Sequence, residues 1–343
     1  MELAFDHHPI GRWRMGTPEQ IAAWSRDQLV DYYRSSYRPD NIILAVVGDV
    51  RTEEVLEEIR KYYGDVKVEK TPKSEIPKEP PQAQLKYRQM KGDITTTYLK
   101  IGFHIPGQLD RDFFALEVLA HILGRGRSSR LSQVLLEKKR LVNSISSEAY
   151  VQKDFGLFMI EAELEAENHF DAELEIFREI ERIKRRAVSD QELVKAKNAI
   201  NFSYLSSIET ARGLSANLAF FESYGDYRLG EEYVANVEKV SADEIRTVAS
   251  KYLVLTNASL LEYRPNSQFD EGITAAGMMA AIDEGLKQEG QREEVVESKP
   301  AESPRVKAST DYDRRPDKAP LVESTARRDT LSCGATLITR DNS

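Results

Sequence analysis

The chain has 343 residues, of which 41% are hydrophobic and 31% are charged, and its formal net charge is −9. This length allows two or three domains with sizeable cores, and the acidic balance, without a basic stripe interleaved with aromatics, argues against a nucleic-acid binder. No apolar run approaches the ~20 residues that a membrane-spanning helix needs, and the N-terminus lacks the zones of a signal peptide.

The first 69 residues predict two capped helices, a strand and a third helix. Two capping boxes open the first two helices, Thr17 with Gln20 and Ser25 with Gln28. The β-branched run over residues 42–47 predicts a buried strand, and Thr52 is expected to cap the acidic helix that follows. One strand with three helices cannot cover the edges of its own sheet, so we expect this segment to be the end of a domain whose front is missing.

A second domain is predicted over residues 92–265, after a linker. The stretch 70–85 contains four prolines among many charges, and we assign residues 70–91 to the linker. Short alternating apolar runs predict strands at residues 99–103, 158–164 and 258–261. Longer helical patterns predict helices at residues 113–123, 170–184, 190–221 and 242–252. Strands set among long helices predict an α+β fold of the two-layer helix/sheet type.

Beyond residue 265 the composition changes. Residues 266–329 combine small residues, mixed charges and scattered prolines, which predicts a polar, largely disordered linker with at most a short helix over 275–286. Residues 330–343 regain alternation and predict a strand, in which Cys333 is most simply an apolar filler. Because Cys333 is the single cysteine, an internal disulfide framework is excluded.

The apolar helix over residues 113–123 and the loop after it are the centre of the second domain. A helix that is apolar on nearly every side belongs in a domain interior. It stops at Gly124, which is expected to adopt the left-handed conformation of a C-terminal stop. Ser128 or Ser129 is expected to cap the next helix.

Five short motifs, in this order and spacing, give the chain a family resemblance. They are His8-Pro9-Ile10-Gly11, Gly16-Thr17-Pro18-Glu19-Gln20-Ile21, Tyr37-Arg38-Pro39-Asp40-Asn41, Val46-Val47-Gly48-Asp49-Val50, and a G-x-G-x-x-S-R-L turn formed by Gly124, Gly126, Ser129, Arg130 and Leu131. Together they resemble the M16 family of zinc metallopeptidases, which includes the insulin-degrading, pitrilysin and mitochondrial-processing types.

The resemblance implies M16-type α+β domains. Residues 1–69 would be the closing portion of a first domain that lacks its zinc-motif region, and residues 92–265 a complete second domain of the C-terminal M16 type. Residues 266–329 would tether these to a following M16 half, whose first strand is 330–343. The chain is therefore expected to be the middle of a longer protein.

The resemblance also implies zinc, held in the family by an H-x-x-E-H helix and a later glutamate. No such motif occurs here, and the five histidines are His7, His8, His104, His121 and His169. His7 and His8 are a poor ligand pair because adjacent side chains diverge. Glu117 and His121 share a helix face in an apolar wall, so a satisfied core pair is the simpler interpretation. We expect zinc in intact family members and none on this chain.

A second catalytic element of the family lies in its other half. There an Arg and a Tyr seven residues apart help to bind substrate and to steady the tetrahedral intermediate. Leu136 falls where the Arg would be, and Asn143 falls where the Tyr would be. The resemblance therefore implies no catalytic residue in this chain.

The cations of the loop, Arg125, Arg127 and Arg130, allow two interpretations. Either they form a basic rim that meets acidic groups of a peptide or of a facing half, or they are a solvated face. A phosphate cradle is disfavoured, because a lone G-x-G lacks the third glycine and the Walker lysine.

Two functions stay open from the sequence. In the first, the chain is part of an M16-type zinc metalloendopeptidase that degrades or processes peptides in a closed chamber; it supplies chamber wall and frame and is inactive alone. In the second, it is a non-catalytic M16-like scaffold or peptide-binding partner subunit. The expected partners are the zinc-bearing region and the following half, in the same chain or a partner subunit, and a peptide substrate. The resemblance favours an extracytoplasmic, periplasmic location.

Overall fold

A computed structural model describes residues 1–64, 75–269, 271–297, 326–331 and 334–341, and its strands form two sheets. The elements in chain order are α1 Pro18–Ala23, α2 Arg26–Ser36, β1 Ile43–Gly48, α3 Thr52–Tyr63, β2 Lys86–Gly92, β3 Thr97–Ile105, α4 Asp112–Gly124, β4 Ser144–Val151, β5 Gly156–Leu164, α5 His169–Arg185, α6 Asp190–Ser207, α7 Ala211–Tyr224, α8 Arg228–Glu231, α9 Tyr233–Lys239, α10 Ala242–Tyr252, β6 Ala258–Pro265, α11 Ala275–Glu297, β7 Ala326–Thr330 and β8 Thr336–Asp341. A π-helix over Ser132–Lys138 lies between α4 and β4. Within the described ranges, no helix combines the length and the apolar character needed to cross a bilayer.

The larger sheet has five strands in the order β2-β6-β3-β5-β4. Its central strands β3 and β5 contain the alternating runs that the sequence predicts, and Phe103 and Phe158 face each other across them, fully buried. Helix α4 packs on β4 and against α10, which contacts β3. This layer of helices on a mixed sheet confirms the predicted α+β fold.

The sequence does not predict the two edge strands of this sheet. Strand β2 pairs in parallel with β6, so residues 86–91 belong to the sheet and not to the predicted linker. Residues 75–85 contain neither helix nor strand, whereas residues 70–74 lie outside the described ranges. The sequence does not predict β2 and β4 because these edge strands carry many polar side chains and contain no continuous apolar run.

Two helical predictions need correction. The single helical region predicted over residues 190–221 is divided between α6 and α7, because the hydroxyl of Thr210 accepts a hydrogen bond from the Gly213 N–H and caps a new helix. The linker predicted over residues 266–329 contains α11, which includes the short helix predicted over 275–286. Met278 and Ile282 of α11 are buried in the main core, which explains why this segment is ordered. Residues 298–325 lie outside the described ranges.

The smaller sheet joins the two ends of the chain. Strand β8 pairs in parallel with β1 and antiparallel with β7, giving the order β1-β8-β7. Leu337 of β8 packs with Leu56 of α3 on one face, and Ile338 packs with Leu218 of α7 on the other. The single strand predicted at the C-terminal end is thus the second strand of a hairpin that covers β1. Cys333 lies outside the described residues.

The N-terminal helices follow local signals. Both predicted capping boxes are present. The hydroxyl of Thr17 or Ser25 accepts a hydrogen bond from the backbone N–H of the glutamine three residues later, and the side chain of that glutamine accepts one from the backbone N–H of the cap residue. Helix α3 differs, because Thr52 is its first residue and Arg51 occupies the N-cap without a side-chain hydrogen bond.

Candidate functional site

The loop that the resemblance singles out, residues 124–131, connects the buried helix α4 to the π-helix; we call it the basic loop. Gly124 is the last residue of α4 and packs on β4, where a Cβ atom would lie 2.5 Å from the backbone nitrogen of Ser147. The left-handed residue is Gly126, with φ +83°, and not Gly124 as predicted. Gly124 is therefore required for close helix–strand approach.

The helix after the basic loop starts near the predicted position but with different contacts. The Gln133 N–H donates to the Ser129 carbonyl at 2.9 Å, as at a helix start. The Ser129 hydroxyl contacts the Ser132 hydroxyl at 3.0 Å and does not cap a backbone N–H. Leu131 of the motif is fully buried and fixes the end of the loop in the core.

The three arginines of the basic loop have different environments. Arg130 donates two hydrogen bonds to Glu192 of α6, at 2.6 and 3.0 Å, and this guanidinium lowers the pKa of Glu192 to about 2. Arg127 donates to Glu137 at 2.8 Å from an exposed position. Arg125 is exposed and forms no ion pair among the described residues. The pairing of Arg127 and Arg130 within the chain leaves Arg125 as the cation directed to solvent, so the predicted basic rim is smaller than the sequence indicates.

A cavity of about 500 Å³ lies beside the basic loop, between it and β4. It is lined by residues 124–127 of the loop, by Ser132 and Leu136, by residues 143–148, and by Met159 and Glu161. Leu136 and Asn143, which stand where the resemblance would place an Arg and a Tyr, thus line the same cavity. Neither side chain can act as a general acid or stabilise an oxyanion with a positive charge.

Glu117 and His121 of α4 do not form the predicted pair with each other. The carboxylate of Glu117 accepts a 2.5 Å hydrogen bond from the Tyr233 hydroxyl, and its other oxygen has no partner in the described part of the chain. Burial raises the pKa of Glu117 to about 7, against the opposing effects of Tyr233 and Arg125. Burial lowers the pKa of His121 to about 4, with Arg125 adding to the effect. Burial therefore favours the uncharged form of both groups.

The raised pKa of Glu117 predicts a pH-dependent contribution to stability. Below pH 4.5, the ordinary pKa of a glutamate, the Glu117 carboxyl is protonated in both the folded and the unfolded chain, and its contribution to the free energy of unfolding is fully present. As the pH rises towards 7, the unfolded chain loses this proton while the folded chain keeps it, so the free energy of unfolding falls by about 3 kcal/mol. Glu117→Gln should remove this loss and be more stable than the original protein at pH 8 but not at pH 4, in urea titrations at both values. An equal difference at the two pH values would contradict the shift.

The histidines at the N-terminus have a structural role. His8 caps a short turn, since its Nδ1 accepts a hydrogen bond from the Ile10 N–H at 3.1 Å. The carboxylate of Glu79 accepts from the backbone N–H groups of Asp6, His7 and His8. His8 in the H-P-x-G turn therefore supports local structure.

One group of metal-ligating side chains is found among the described residues, and the sequence analysis missed it. It consists of His169 and Glu173 of α5 and Glu262 of β6. The i,i+4 spacing of His169 and Glu173 is a signal that the sequence does contain. Glu262 could not be joined to them, because its position depends on the pairing of a strand far along the chain.

The comparisons with known proteins agree with this geometry. The family described as "Peptidase M16 inactive domain" matches residues 23–200, just over half of the chain. The matched range starts before the second domain predicted from the sequence and ends inside it. The chain therefore belongs to the M16 inactive-domain family, which confirms the resemblance drawn from the motifs.

Several relatives are named as proteases. The zinc protease PqqE of Helicobacter pylori is 25% identical over 266 residues, which are 76% of this chain and 60% of that protein. A probable mitochondrial-processing peptidase subunit beta of Arabidopsis thaliana is 24% identical over 73% of this chain and 49% of its own length. The chain thus spans about half to three fifths of these relatives.

Solved structures share the fold. A protease from Helicobacter pylori superposes with a TM-score of 0.71 over 76% of this chain and 64% of its own, at 24% identity. An M16 inactive domain from Pseudomonas fluorescens gives 0.68 over 77% of this chain and 64% of its own, at 18% identity. At these identities the likeness concerns the fold alone.

The residues present in this chain do not form the zinc site that the M16 family uses. The sequence contains no H-x-x-E-H segment, and the His8 side chain caps a local turn. No hydrolytic step is therefore derived for the basic loop or its cavity.

Proposed function

We propose that this chain is a non-catalytic part of an M16-type zinc metalloendopeptidase and supplies wall and frame to a chamber that encloses peptides. The observation that carries the proposal is the cavity beside the basic loop. It is large enough for one or two peptide side chains, yet Leu136 and Asn143 line it in place of the Arg and Tyr of a competent half. Catalysis would then depend on a zinc-bearing region, in the same protein or in a partner subunit.

The exposed Arg125 and the backbone of β4 support contact with a peptide. Arg125 lines the cavity, is exposed and has no ion pair in the described ranges, and β4 is an edge strand of the larger sheet. An edge strand can accept an extended peptide as an additional strand. Acidic peptides would be favoured by the free guanidinium. The zinc named in relatives supports zinc in the intact enzyme, and an extracytoplasmic location stays part of the proposal.

The chain alone should not hydrolyse peptides. Quenched fluorogenic peptides incubated with the purified chain, with and without Zn²⁺, are expected to give no rate above the blank, because the chain has no H-x-x-E-H motif to hold a zinc ion and activate its bound water. Co-expression with an M16 chain that carries H-x-x-E-H should yield a complex and restore cleavage, and Arg125→Glu should weaken it for acidic peptides. Arg127→Glu, which alters a cation already paired with Glu137, is the control.

Two results would change this interpretation. Zinc-dependent cleavage by the chain alone, abolished by a chelator, would contradict a non-catalytic role. A stable complex that binds peptides without cleaving them would favour the scaffold or peptide-binding subunit instead.

A further inference from the structure

His169, Glu173 and Glu262 meet inside the larger domain, away from the basic loop in the sequence. His169 and Glu173 lie one turn apart on α5, and Glu262 lies in the middle of β6. One ligand atom of each side chain lies within 4.8 Å of those of the other two. Helix α5 and strand β6 are thereby joined through polar groups.

Glu173 is the unusual member of this cluster. It is fully buried, and no donor group in the described part of the chain hydrogen-bonds to either of its carboxylate oxygens. Its polar neighbour is the carboxylate of Glu262, and burial together with that carboxylate raises the pKa of Glu173 well above its usual value. Removing a carboxylate from water costs several kcal/mol unless a cation or a proton compensates it. The cluster holds two buried carboxyl groups against one buried guanidinium, that of Arg264, so the second carboxyl group needs either a proton or a cation beside it.

Both oxygens of Glu262 have polar neighbours, and one of them faces His169. Its Oε2 accepts a hydrogen bond from Gln89 Nε2 at 3.0 Å and lies 3.4 Å from Arg264 Nη1. Its Oε1 lies 3.2 Å from His169 Nδ1. Outer groups that orient a ligating carboxylate in this way are a regular feature of metal sites.

The spacing of one pair of ligand atoms suits a small divalent ion. Zinc–ligand bonds of ~2.0–2.2 Å place two tetrahedral ligand atoms about 3.3–3.6 Å apart, close to the 3.2 Å between His169 Nδ1 and Glu262 Oε1. One imidazole and two carboxylates form a donor set that suits zinc and related transition metals, whereas magnesium and calcium prefer oxygen alone. The side chain of His169 is 18% exposed, which leaves an entry path at the start of α5.

We propose that His169, Glu173 and Glu262 bind one divalent transition-metal ion, with Zn²⁺ as the first candidate. The ion ties α5 to β6 and supplies the positive charge that the buried carboxylates lack. This site departs from the sequence-based expectation that no metal binds this chain. The proposal does not depend on peptidase activity, since the binding is measured on the chain itself.

Calorimetric titration of the chelator-treated full chain with Zn²⁺ should show one site, and the melting temperature should rise with Zn²⁺. Glu173→Gln and His169→Gln should each abolish the zinc-dependent rise and weaken binding by at least the ~10–100-fold that loss of an outer-shell partner costs, because each removes a ligand. Glu173→Gln keeps shape and removes an unpaired buried charge, so it should remain folded. Co²⁺ should give the visible absorption of a low-coordinate site in the original chain and not in these variants.

His121→Gln is the matched control, because His121 also follows a glutamate by four residues on a buried helix but has no third ligand in the described ranges. It should bind Zn²⁺ like the original chain, and so should His7→Gln. The absence of a single site at ~100 µM Zn²⁺ would overturn the proposal. Binding that survives Glu173→Gln, or that is lost in His7→Gln, would also overturn it. If Zn²⁺ has no effect and Glu173→Gln raises the melting temperature, a proton compensates the cluster in place of a metal.

Discussion

Replacing Gly124 by alanine is expected to lower the free energy of unfolding by about 3 kcal/mol, because a core contact would be overpacked. The added Cβ would lie 2.5 Å from both the backbone nitrogen and the hydroxyl oxygen of Ser147, and 2.9 Å from the backbone carbon of Ser146. These atoms belong to β4, which is paired with β5 and cannot retreat without breaking its ladder. Ser147 also donates a 2.8 Å hydrogen bond to the Ala120 carbonyl, which would be strained by any separation of helix and strand.

Gly126→Ala is the matched control within the same loop. A Cβ at Gly126 would meet no atom within 4 Å, but φ is +83° and disfavours any side chain. Its expected cost is about 1 kcal/mol from backbone strain alone. Urea unfolding followed by circular dichroism separates the two variants. Equal costs for both would show that Gly124, like Gly126, is needed only for its backbone conformation.

The parts of the fold that the sequence predicts are those with strong local signals. Helix α4 is apolar on nearly every side and mostly buried, and β3 and β5 alternate because one face of each lies on the core. The capping boxes at Thr17 and Ser25 involve only residues three apart, so neither depends on tertiary contacts.

The parts that it misses depend on partners far along the chain. Strand β2 has a polar sequence and is a strand only because β6 pairs with it. From the sequence alone Arg130 has no evident partner, because Glu192 lies 62 residues away and reaches it only through the position of α6 in the fold. Glu262 acquires a metal-ligating neighbourhood only when β6 lies beside α5. In each case the local residues are compatible with several structures, and packing selects one.

The smaller sheet has a consequence for domain organisation. Residues 1–69 and 330–343 were assigned to different M16 domains from the resemblance, and these boundaries stay predictions. The pairing of β1 with β8 nevertheless places described parts of both segments in one sheet. Strand β8 thus pairs with an edge of β1 that would otherwise be exposed. This pairing answers the expectation that one strand with three helices cannot cover the edges of its own sheet.

Replacing Leu337 by aspartate is expected to remove this cover and to cost about 4 kcal/mol or more within the smaller sheet, because a large apolar contact is lost and a charge is buried. Leu337 is fully buried on the middle strand, against Leu56 of α3. Hydrogen exchange followed by mass spectrometry should show faster exchange in β1 and α3. Protection of β3 and β5 should be unchanged, since their core is formed by other residues.

The matched control for this prediction is Thr330→Asp, which places the same charge at an exposed position on the neighbouring strand β7. It should leave exchange in β1 unchanged. If Leu337→Asp also leaves β1 protected, then β8 does not cover β1 in solution, and another segment must occupy that edge. If both sheets lose protection together, the two sheets unfold as one cooperative unit, joined through the packing of α7 on β1 and on the main core.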